Sequence, residues 1–375
     1  MISDQKGEWS DAGAFDRVVA PLITGHWLLM TDRWKRRPHG SNWGDFGPDD
    51  QFGRMNLVTP EKVKQGVAEV REGLRFCLSL PLDYPGGNVL NPRRHPPLLR
   101  PTLRGNRANF NYALAADDPE RTDVVNDDLT IMHLQYSTQW DSFAHVGSLF
   151  DADGDGKPEA VFYNGFRAGE HIVGPSDAKD AGPKGETSTS AAHALGVENM
   201  AVRCMQGRGV MIDLYAHFGN ARTLVGYDEL MRVIEQDKVA VEEGDMVCLH
   251  TGFAEVVLGM NKKPAAAVLE NSCAALDGRD WKLLDWITDS GLAVLIADNY
   301  AVEAFPSRPG EGCCAALPLH EHCLFKLGVH LGELWHLTPL ARWLRAHGRY
   351  RFLLTAPPLR LPGAVGSPAT PVATV

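Results

Sequence analysis

Polar side chains that could bind a carbonyl group or a metal ion are concentrated between Gln135 and His145. This segment directly follows an apolar run, from Leu129 to Leu134, that is typical of a strand. Within it, the side chains that could do chemistry belong to Gln135, Ser137, Thr138, Gln139, Trp140 and Asp141. If the strand continues through the segment, alternate residues share one face, so two amides, a hydroxyl and a carboxylate would lie together.

His145 is the residue of this segment best suited to proton transfer. Asp141 can cap a turn that begins at Ser142, and residue 145 of such a turn returns above residue 141. His145 would then face the polar strand as a general acid or base. Alternatively, Asp141 is only a cap and His145 a core histidine. We weigh the two equally, because burying so many polar groups without use is costly.

The composition excludes several classes of partner. Lys and Arg total 37 against 47 Asp and Glu, a net charge of −10, which disfavours nucleic acid and anionic membranes. The seven cysteines show no CxxC spacing, which indicates free thiols in a reducing compartment. No apolar run reaches about 18 residues, and the amino-terminal segment lacks a signal-like apolar core. We therefore expect a cytoplasmic protein that acts on a small molecule.

Strands and helices alternate through the second half of the chain. Apolar strand patterns at 209–214, 244–250, 292–297 and 350–354 are separated by helical patterns at 227–236, 280–290 and 338–347. This order predicts an α/β fold with a sheet buried on both faces. We expect an N-terminal extension at 1–41, a single domain at 42–360 and a C-terminal tail at 361–375. Within the domain, 81–128 is rich in Pro, Gly and Asn and predicts a long irregular arm.

Other candidate site residues lie in this second half. His320 precedes the apolar residues Leu324, Leu327 and Leu331, which predicts a helix whose start touches the site. Glu333 lies in a nearly apolar run, so a partner such as a metal, His320 or an arginine is expected. Three further residues sit near strand ends, where a role as a cap is at least as common as one in a site: His250, Asp298 and Glu303.

The Gln135–His145 segment resembles the signature of the putative cyclase family, which includes bacterial kynurenine formamidase and isatin hydrolase. The family pattern is His-x-Gly-Thr-His-x-Asp-x-x-x-His, and Thr138, Asp141 and His145 match it. The resemblance extends from about Asn42 to about Leu354. It implies a swivelling β/β/α single domain with long loops, assembled as a homodimer or homotetramer. It also implies that Asp141, His320 and Glu333 belong to a metal site and that His145 is the acid/base.

The chain departs from this pattern at the two motif histidines, which are replaced by Gln135 and Gln139. An amide oxygen binds transition metals more weakly than imidazole does and prefers hard ions. Three arrangements are therefore open. Mn²⁺ or Mg²⁺ could bind through Gln135, Gln139 and Asp141, or a divalent metal, Zn²⁺ included, could shift toward Asp141, His320 and Glu333. The site could also work without metal, and the paired loss favours a metal-free or weakly metal-binding site.

The resulting hypothesis is a hydrolase of a small amide, lactone or ester. His145 would be the general acid/base, oriented by Asp141, and Gln139 would contribute to catalysis by stabilising the developing oxyanion. The substrate would be bound by Gln135, Ser137, Thr138 and Trp140. The alternatives are a lyase or cyclase acting on a carbonyl compound, and a protein that binds a small molecule without turnover.

Overall fold

A computed structural model describes residues 33–185 and 187–375. Most of residues 1–41, predicted as an extension, thus lies outside the described ranges. The strands are β1 (Arg75–Cys77), β2 (Leu98–Pro101), β3 (Leu103–Arg104), β4 (Arg107–Ala108), β5 (Tyr112–Ala113), β6 (Val124–Val125), β7 (Asp128–Ile131), β8 (Gln139–Asp141), β9 (Ser148–Phe150), β10 (Glu159–Val161), β11 (Ile172–Val173), β12 (Ala191–Ala192), β13 (Gln206–Asp213), β14 (Thr223–Val225), β15 (Met246–His250), β16 (Ala274–Leu276), β17 (Val294–Ala297), β18 (His330–Glu333), β19 (Arg351–Thr355), β20 (Gly366–Pro368) and β21 (Val372–Thr374).

The helices are short and lie mostly in the second half of the chain. In the described ranges they are α1 (Pro60–Ala68), α2 (Glu198–Val202), α3 (Leu214–Phe218), α4 (Tyr227–Gln236), α5 (Phe253–Gly259), α6 (Ala266–Glu270), α7 (Trp281–Asp289), α8 (Pro318–His320) and α9 (Thr338–Ala346). A π-helical segment, Glu321–Leu327, continues α8. None of these helices is long and apolar enough to cross a membrane.

Nine of these strands form one mixed sheet in the order β1-β21-β19-β13-β15-β17-β18-β8-β20. The central strands β13, β15, β17 and β18 are parallel, and the outer pairs are antiparallel. Along β13, Val210 and Ile212 pack into one core cluster and Met211 into another. The sheet is therefore covered on both faces, which explains the continuous apolar runs. The prediction of a single α/β domain is confirmed.

The carboxyl ends of the parallel strands meet at one edge of the sheet. β13 ends at Asp213, β15 at His250 and β18 at Glu333, and Asp298 directly follows β17. β8 runs antiparallel to β18, so that Gln139 pairs with Glu333 at the same edge. In open α/β sheets this edge is the usual place for a ligand.

Three local predictions differ from the structure. Residues 361–375, predicted as a tail, supply β20 and β21 to the main sheet. The helix predicted from His320 through Leu331 ends at Leu327, and Leu331 lies in β18. The spacing of Val63, Val67 and Val70 predicts that this face of α1 packs inward, but the buried residues are Lys62 and Gly66, and Val67 is exposed.

The inner face of α1 carries a buried ionic network. Asp245 is fully buried and accepts hydrogen bonds from Arg208 Nε (2.8 Å), Arg208 Nη2 (3.0 Å) and Lys62 Nζ (3.2 Å). Arg208 and Lys62 are themselves buried, and Glu242, which is half-exposed, also binds Arg208. The polar face of α1 is thus attached to the amino-terminal edge of the central strands.

The segment 81–128, predicted as an irregular arm, forms small two-stranded ribbons: β2 pairs with β7, β3 with β4 and β5 with β6. Much of its surface is apolar and exposed, at Leu98, Leu99, Leu103, Phe110 and Val124. The apolar run before Gln135 becomes β7 of such a ribbon, and a turn separates it from β8.

Candidate active site

Asp141, His320 and Glu333 form a buried cluster at the carboxyl edge of the sheet. One ligand-type atom from each lies within 4.8 Å of the others. Asp141 ends β8, His320 ends α8 and Glu333 ends β18. Residues far apart in sequence therefore meet because β8 pairs with β18 and because α8 packs against the same edge.

The two glutamines that replace the family histidines both contact this cluster. Gln139 donates from Nε2 to Glu333 Oε2 at 2.7 Å, as their pairing across β8 and β18 requires. Gln135 lies in the turn before β8, and its Nε2 donates to Asp141 Oδ1. The amide groups therefore hold the two carboxylates in place through hydrogen bonds.

The orientation of His320 is fixed by Glu303. His320 Nδ1 lies 2.8 Å from Glu303 Oε1, and Nε2 lies 3.2 Å from Glu333 Oε1. Glu303 also accepts the backbone N–H groups of Leu319 and His320. Burial alone would lower the pKa of His320, but its hydrogen bonds to Glu303 and Glu333 outweigh burial and raise this pKa to about 10. A carboxylate behind the imidazole is the arrangement that orients a metal-binding histidine.

Two oxygen atoms of the cluster are buried and lack a hydrogen-bond donor among the described residues: Asp141 Oδ2 and Gln139 Oε1. Burial raises the pKa of Asp141, and the charge of Glu333 raises it further. Unpartnered buried oxygens are uncommon in native proteins and point to an ion or a ligand. Two carboxylates, one imidazole and one amide oxygen form a donor set that fits a divalent cation such as Mn²⁺ or Mg²⁺.

His145 lies beside this cluster, at the end of a short turn after β8. Its backbone N–H donates to the Ser142 carbonyl at 3.0 Å. Burial lowers its pKa, and the charge of Asp141 opposes this effect. In the described part of the chain nothing hydrogen-bonds to its ring. A largely neutral imidazole whose nitrogens are free can accept a proton from water or from a substrate.

The remaining predicted site residues lie farther from the cluster. Thr138 Oγ1 donates to the Leu334 carbonyl at 2.6 Å and accepts from the Leu80 N–H, so it joins two backbone segments. Ser137 Oγ contacts the Pro81 carbonyl. Trp140 is fully buried on the opposite face of β8 and donates to a backbone carbonyl within the core. Trp140 therefore packs the core and does not line the cluster.

Two further strand-end residues have structural partners. Asp298 accepts hydrogen bonds from the Thr251 hydroxyl and from the backbone N–H groups of Thr251 and Gly252. His250 pairs with Asp213 at 2.7 Å. These contacts join the ends of β13, β15 and β17 and leave the cluster beside β18 as the candidate active site.

Backbone strain accompanies the cluster. Ala301, Val302 and Leu334 adopt left-handed conformations with φ of 75°, 57° and 55°, which are unfavourable for non-glycine residues and above all for a β-branched valine. The first two lie between Tyr300 and Glu303, and Leu334 follows Glu333. Strain of this kind is common at functional sites. It marks Tyr300 and Glu303 as site residues. The sequence offered Glu303 only as one of three candidates near strand ends and carried no signal for Tyr300.

Known proteins resemble this chain in sequence and in fold. The sequence profile of the putative cyclase family matches residues 78–304. A solved structure described as a novel cyclase is 30% identical, with a TM-score of 0.68, and the match covers 90% of this chain and 99% of that chain. No curated protein matches.

More distant structures share about 14% identity. For isatin hydrolase A from Labrenzia aggregata bound to benzyl benzoate, the TM-score is 0.49 and the coverage 84% of this chain and 97% of that chain. For a potential metal-dependent hydrolase with cyclase activity, the TM-score is 0.43 and the coverage 80% and 98%. At this distance neither assigns a substrate. The family match and the 30% identical structure show that this chain belongs to the putative cyclase family.

Proposed function

We propose that this protein hydrolyses a small amide, lactone or ester at the cluster of Asp141, His320 and Glu333. The observation that carries the proposal is the position of His145 beside a buried site with unpartnered oxygens: its ring has no hydrogen bond within the described residues, and burial lowers its pKa. Membership of the family supports an enzyme of the hydrolase or cyclase type.

The reaction would proceed by general base catalysis. His145 takes a proton from a water molecule, and the water oxygen bonds to the carbonyl carbon of the substrate. When the C–N or C–O bond breaks, the proton on His145 passes to the leaving nitrogen or oxygen. The products are a carboxylic acid and an amine or alcohol, or a single ring-opened acid from a lactone. Asp141 stabilises the transient imidazolium.

A divalent cation would be held by Asp141, His320 and Glu333, with the amide oxygen of Gln139 as a weak fourth donor. When bound, it would polarise the substrate carbonyl and lower the pKa of a bound water. With a single imidazole in the set, we expect Mn²⁺ or Mg²⁺ to compete well with Zn²⁺. The binding is expected to be weaker than in proteins that retain the motif histidines.

The test of His145 is its replacement by alanine, assayed on a panel of amides, lactones and esters. We expect at least a 100-fold loss of kcat with an unchanged circular dichroism spectrum. His193→Ala is the matched control, because His193 is exposed and away from the cluster. Turnover by His145→Ala equal to that of the wild type would rule out the assigned base.

The metal hypothesis has a separate test by equilibrium dialysis with Mn²⁺ followed by elemental analysis. The wild type should bind about one ion for each chain, and Glu333→Gln should lose at least tenfold in affinity. Equal binding by both proteins would exclude Glu333 as a ligand. The reaction type is tested in ¹⁸O-water, where hydrolysis places the label in the product acid. An unlabelled product would instead favour the lyase or cyclase alternative.

We also propose that the chain assembles as a homodimer or homotetramer through the arm at 81–128. The exposed leucines of β2 and β3 support this, because contiguous apolar surface of this kind is uncommon on monomers. Light scattering after size exclusion should give a multiple of 41.1 kDa, and Leu99→Glu with Leu103→Glu should shift the mass toward one chain. A monomeric wild type would contradict the proposal.

A further inference from the structure

Tyr300 separates two cavities next to the candidate active site. On one side lies a small cavity of about 10 Å³, lined in part by the polar residues Asn91, Arg94, Gln135 and Tyr136. This is room for about one water molecule. Since Gln135 donates to Asp141, the small cavity adjoins the cluster. It is too small for a substrate, so most of a substrate must lie elsewhere.

On the other side of Tyr300 lies a cavity of about 180 Å³ whose lining is mostly apolar, with Arg222, Glu270 and Asn299 as its polar part. The apolar side chains come from the arm, from α5 and α6, and from the segment after Tyr300: Val89, Leu90, Phe253, Leu269, Phe305 and Pro306. Phe305 packs edge-on against Tyr300, with ring centroids 6.2 Å apart. Pockets that bury a drug-sized molecule measure roughly 300–1,000 Å³. This volume therefore suits one aryl or branched alkyl group.

The Tyr300 hydroxyl has a proton that is free to be donated to a ligand. Asn91 Nδ2 donates to the hydroxyl oxygen at 3.0 Å. The amide of Asn91 cannot be reversed without loss, because its Oδ1 accepts the Arg93 N–H at 3.0 Å. Asn91 therefore donates to the hydroxyl oxygen of Tyr300 and does not accept the hydroxyl proton. No described residue accepts the hydroxyl proton.

The protonation of Tyr300 supports a donor role. Burial raises its pKa, and the negative charge of Glu333 raises it further. The hydroxyl thus keeps its proton at neutral pH. The hydrogen-bond partner of the hydroxyl, Asn91, lines the small cavity together with Gln135, so the hydroxyl lies on the side of the cluster.

We propose that the cavity behind Tyr300 binds an aryl or bulky apolar group of the substrate, and that the Tyr300 hydroxyl donates a hydrogen bond to the scissile carbonyl. This inference rests on the proposed hydrolysis and names its substrate class: esters, amides or lactones that carry an uncharged apolar group within three bonds of the reacting carbonyl carbon. As the oxyanion develops, the phenol is positioned to stabilise it while His145 moves the proton.

The test compares benzyl acetate with methyl acetate as substrates. Tyr300→Phe removes the donor and is expected to lower kcat about 100-fold on both esters, with little change of KM. Ala266→Phe fills the cavity from α6 and should lower kcat/KM for benzyl acetate at least tenfold while sparing methyl acetate. Ala267→Phe is the matched control, because Ala267 is on the same exposed helix but does not line the cavity.

Unchanged kcat in Tyr300→Phe would overturn the donor role, and an equal loss on both esters in Ala266→Phe would overturn the subsite. Benzamide binding, measured by calorimetry, separates the subsite from the proposed reaction. If the wild type hydrolyses no ester or amide, the proposed reaction is refuted. Benzamide should still bind to the wild type and to Ala267→Phe, and it should fail to bind only to Ala266→Phe. Equal benzamide binding by Ala266→Phe and Ala267→Phe would overturn the subsite itself. Should Ala266→Phe not fold, Phe305→Ala enlarges the cavity and should favour naphthylmethyl acetate over benzyl acetate. If Phe305→Ala gains no preference for naphthylmethyl acetate, the subsite is refuted.

Discussion

Replacing Asp245 by asparagine should destabilise the protein severely, because it removes the one fully buried anion of the network beneath α1. The carboxylate accepts three hydrogen bonds from Arg208 and Lys62 and a fourth from the Glu242 N–H at 2.8 Å. Asparagine has the same shape but no charge, and it offers one acceptor oxygen in place of two. Two buried cations would lose their buried counterion.

The expected size follows from these contacts. Removing one partner of a buried ion pair costs about 3–5 kcal/mol, since the other charge remains buried. Arg208 Nη2 keeps a contact with Glu242 Oε2 at 2.6 Å, but the Glu242 side chain is 47% exposed and compensates only in part. We therefore expect a loss of about 3 kcal/mol, a large fraction of the roughly 5–15 kcal/mol typical of a domain.

The assay is equilibrium unfolding in urea, with the slope m required to stay constant so that the midpoint shift reports stability. Glu242→Gln is the control and should cost less than about 1 kcal/mol, because Glu242 is half-exposed. Combining Lys62→Met, Arg208→Met and Asp245→Leu should restore most of the loss, since an apolar replacement leaves no buried charge. A loss in Asp245→Asn no larger than in Glu242→Gln would refute the reasoning.

Three further predictions concern stability and thiol chemistry. Burial beside Lys326 lowers the pKa of His322 to about 4. Because this folded-state pKa lies below the unfolded value of about 6.5, the free energy of unfolding is unaffected by His322 above pH 6.5 and falls by up to about 3 kcal/mol as the pH drops to 4. In His322→Leu the free energy of unfolding should differ less between pH 7 and pH 4.5 than in the wild type. An equal difference in the two proteins would contradict this assignment to His322. Thr138→Val leaves the buried Leu80 N–H without an acceptor and should cost about 1–3 kcal/mol by urea unfolding; a neutral result would show that the hydroxyl joins nothing. Ellman's reagent should titrate four thiols in the folded protein and seven after denaturation, and a reactive Cys248 would contradict its burial; the four are Cys77, Cys204, Cys313 and Cys314.

The elements of the fold were predictable where the signal was local. Thr59 accepts the Lys62 N–H as the N-cap of α1, with Pro60 at its first position, as the sequence indicates. The central strands follow from their continuous apolar runs. The burial of Lys62 in place of Val67 was not predictable, because it depends on a partner, Asp245, that only the tertiary fold brings near. Cys77 lies in an apolar, strand-like run, which indicates a core position, yet it is exposed.

The candidate site was predictable only in part. Composition placed polar groups near Gln135, and the family resemblance added His320 and Glu333, which the structure brings together with Asp141. The alternation of a strand already implied that Trp140 points away from Gln139, so its assignment to the pocket conflicted with the pattern. Tyr300 was out of reach, because the strained turn at Val302 that presents it has no sequence signature, and Glu303 was a candidate only as one of several residues near strand ends.

The position of β8 in the sheet has a consequence for biosynthesis. Both of its neighbours, β18 and β20, come from far downstream in the chain. While a ribosome is still making the middle of the protein, Gln139 and Asp141 have no strand to pair with, and long-range pairing of this kind is slow. The carboxylates and amides of the site therefore cannot come together before residues 330–333 have been synthesised, and the outer edge of β8 stays unpaired until residues 366–368 follow. A nascent chain that stops short of residue 330 would lack a formed active site, although β13, β15 and β17 are already complete.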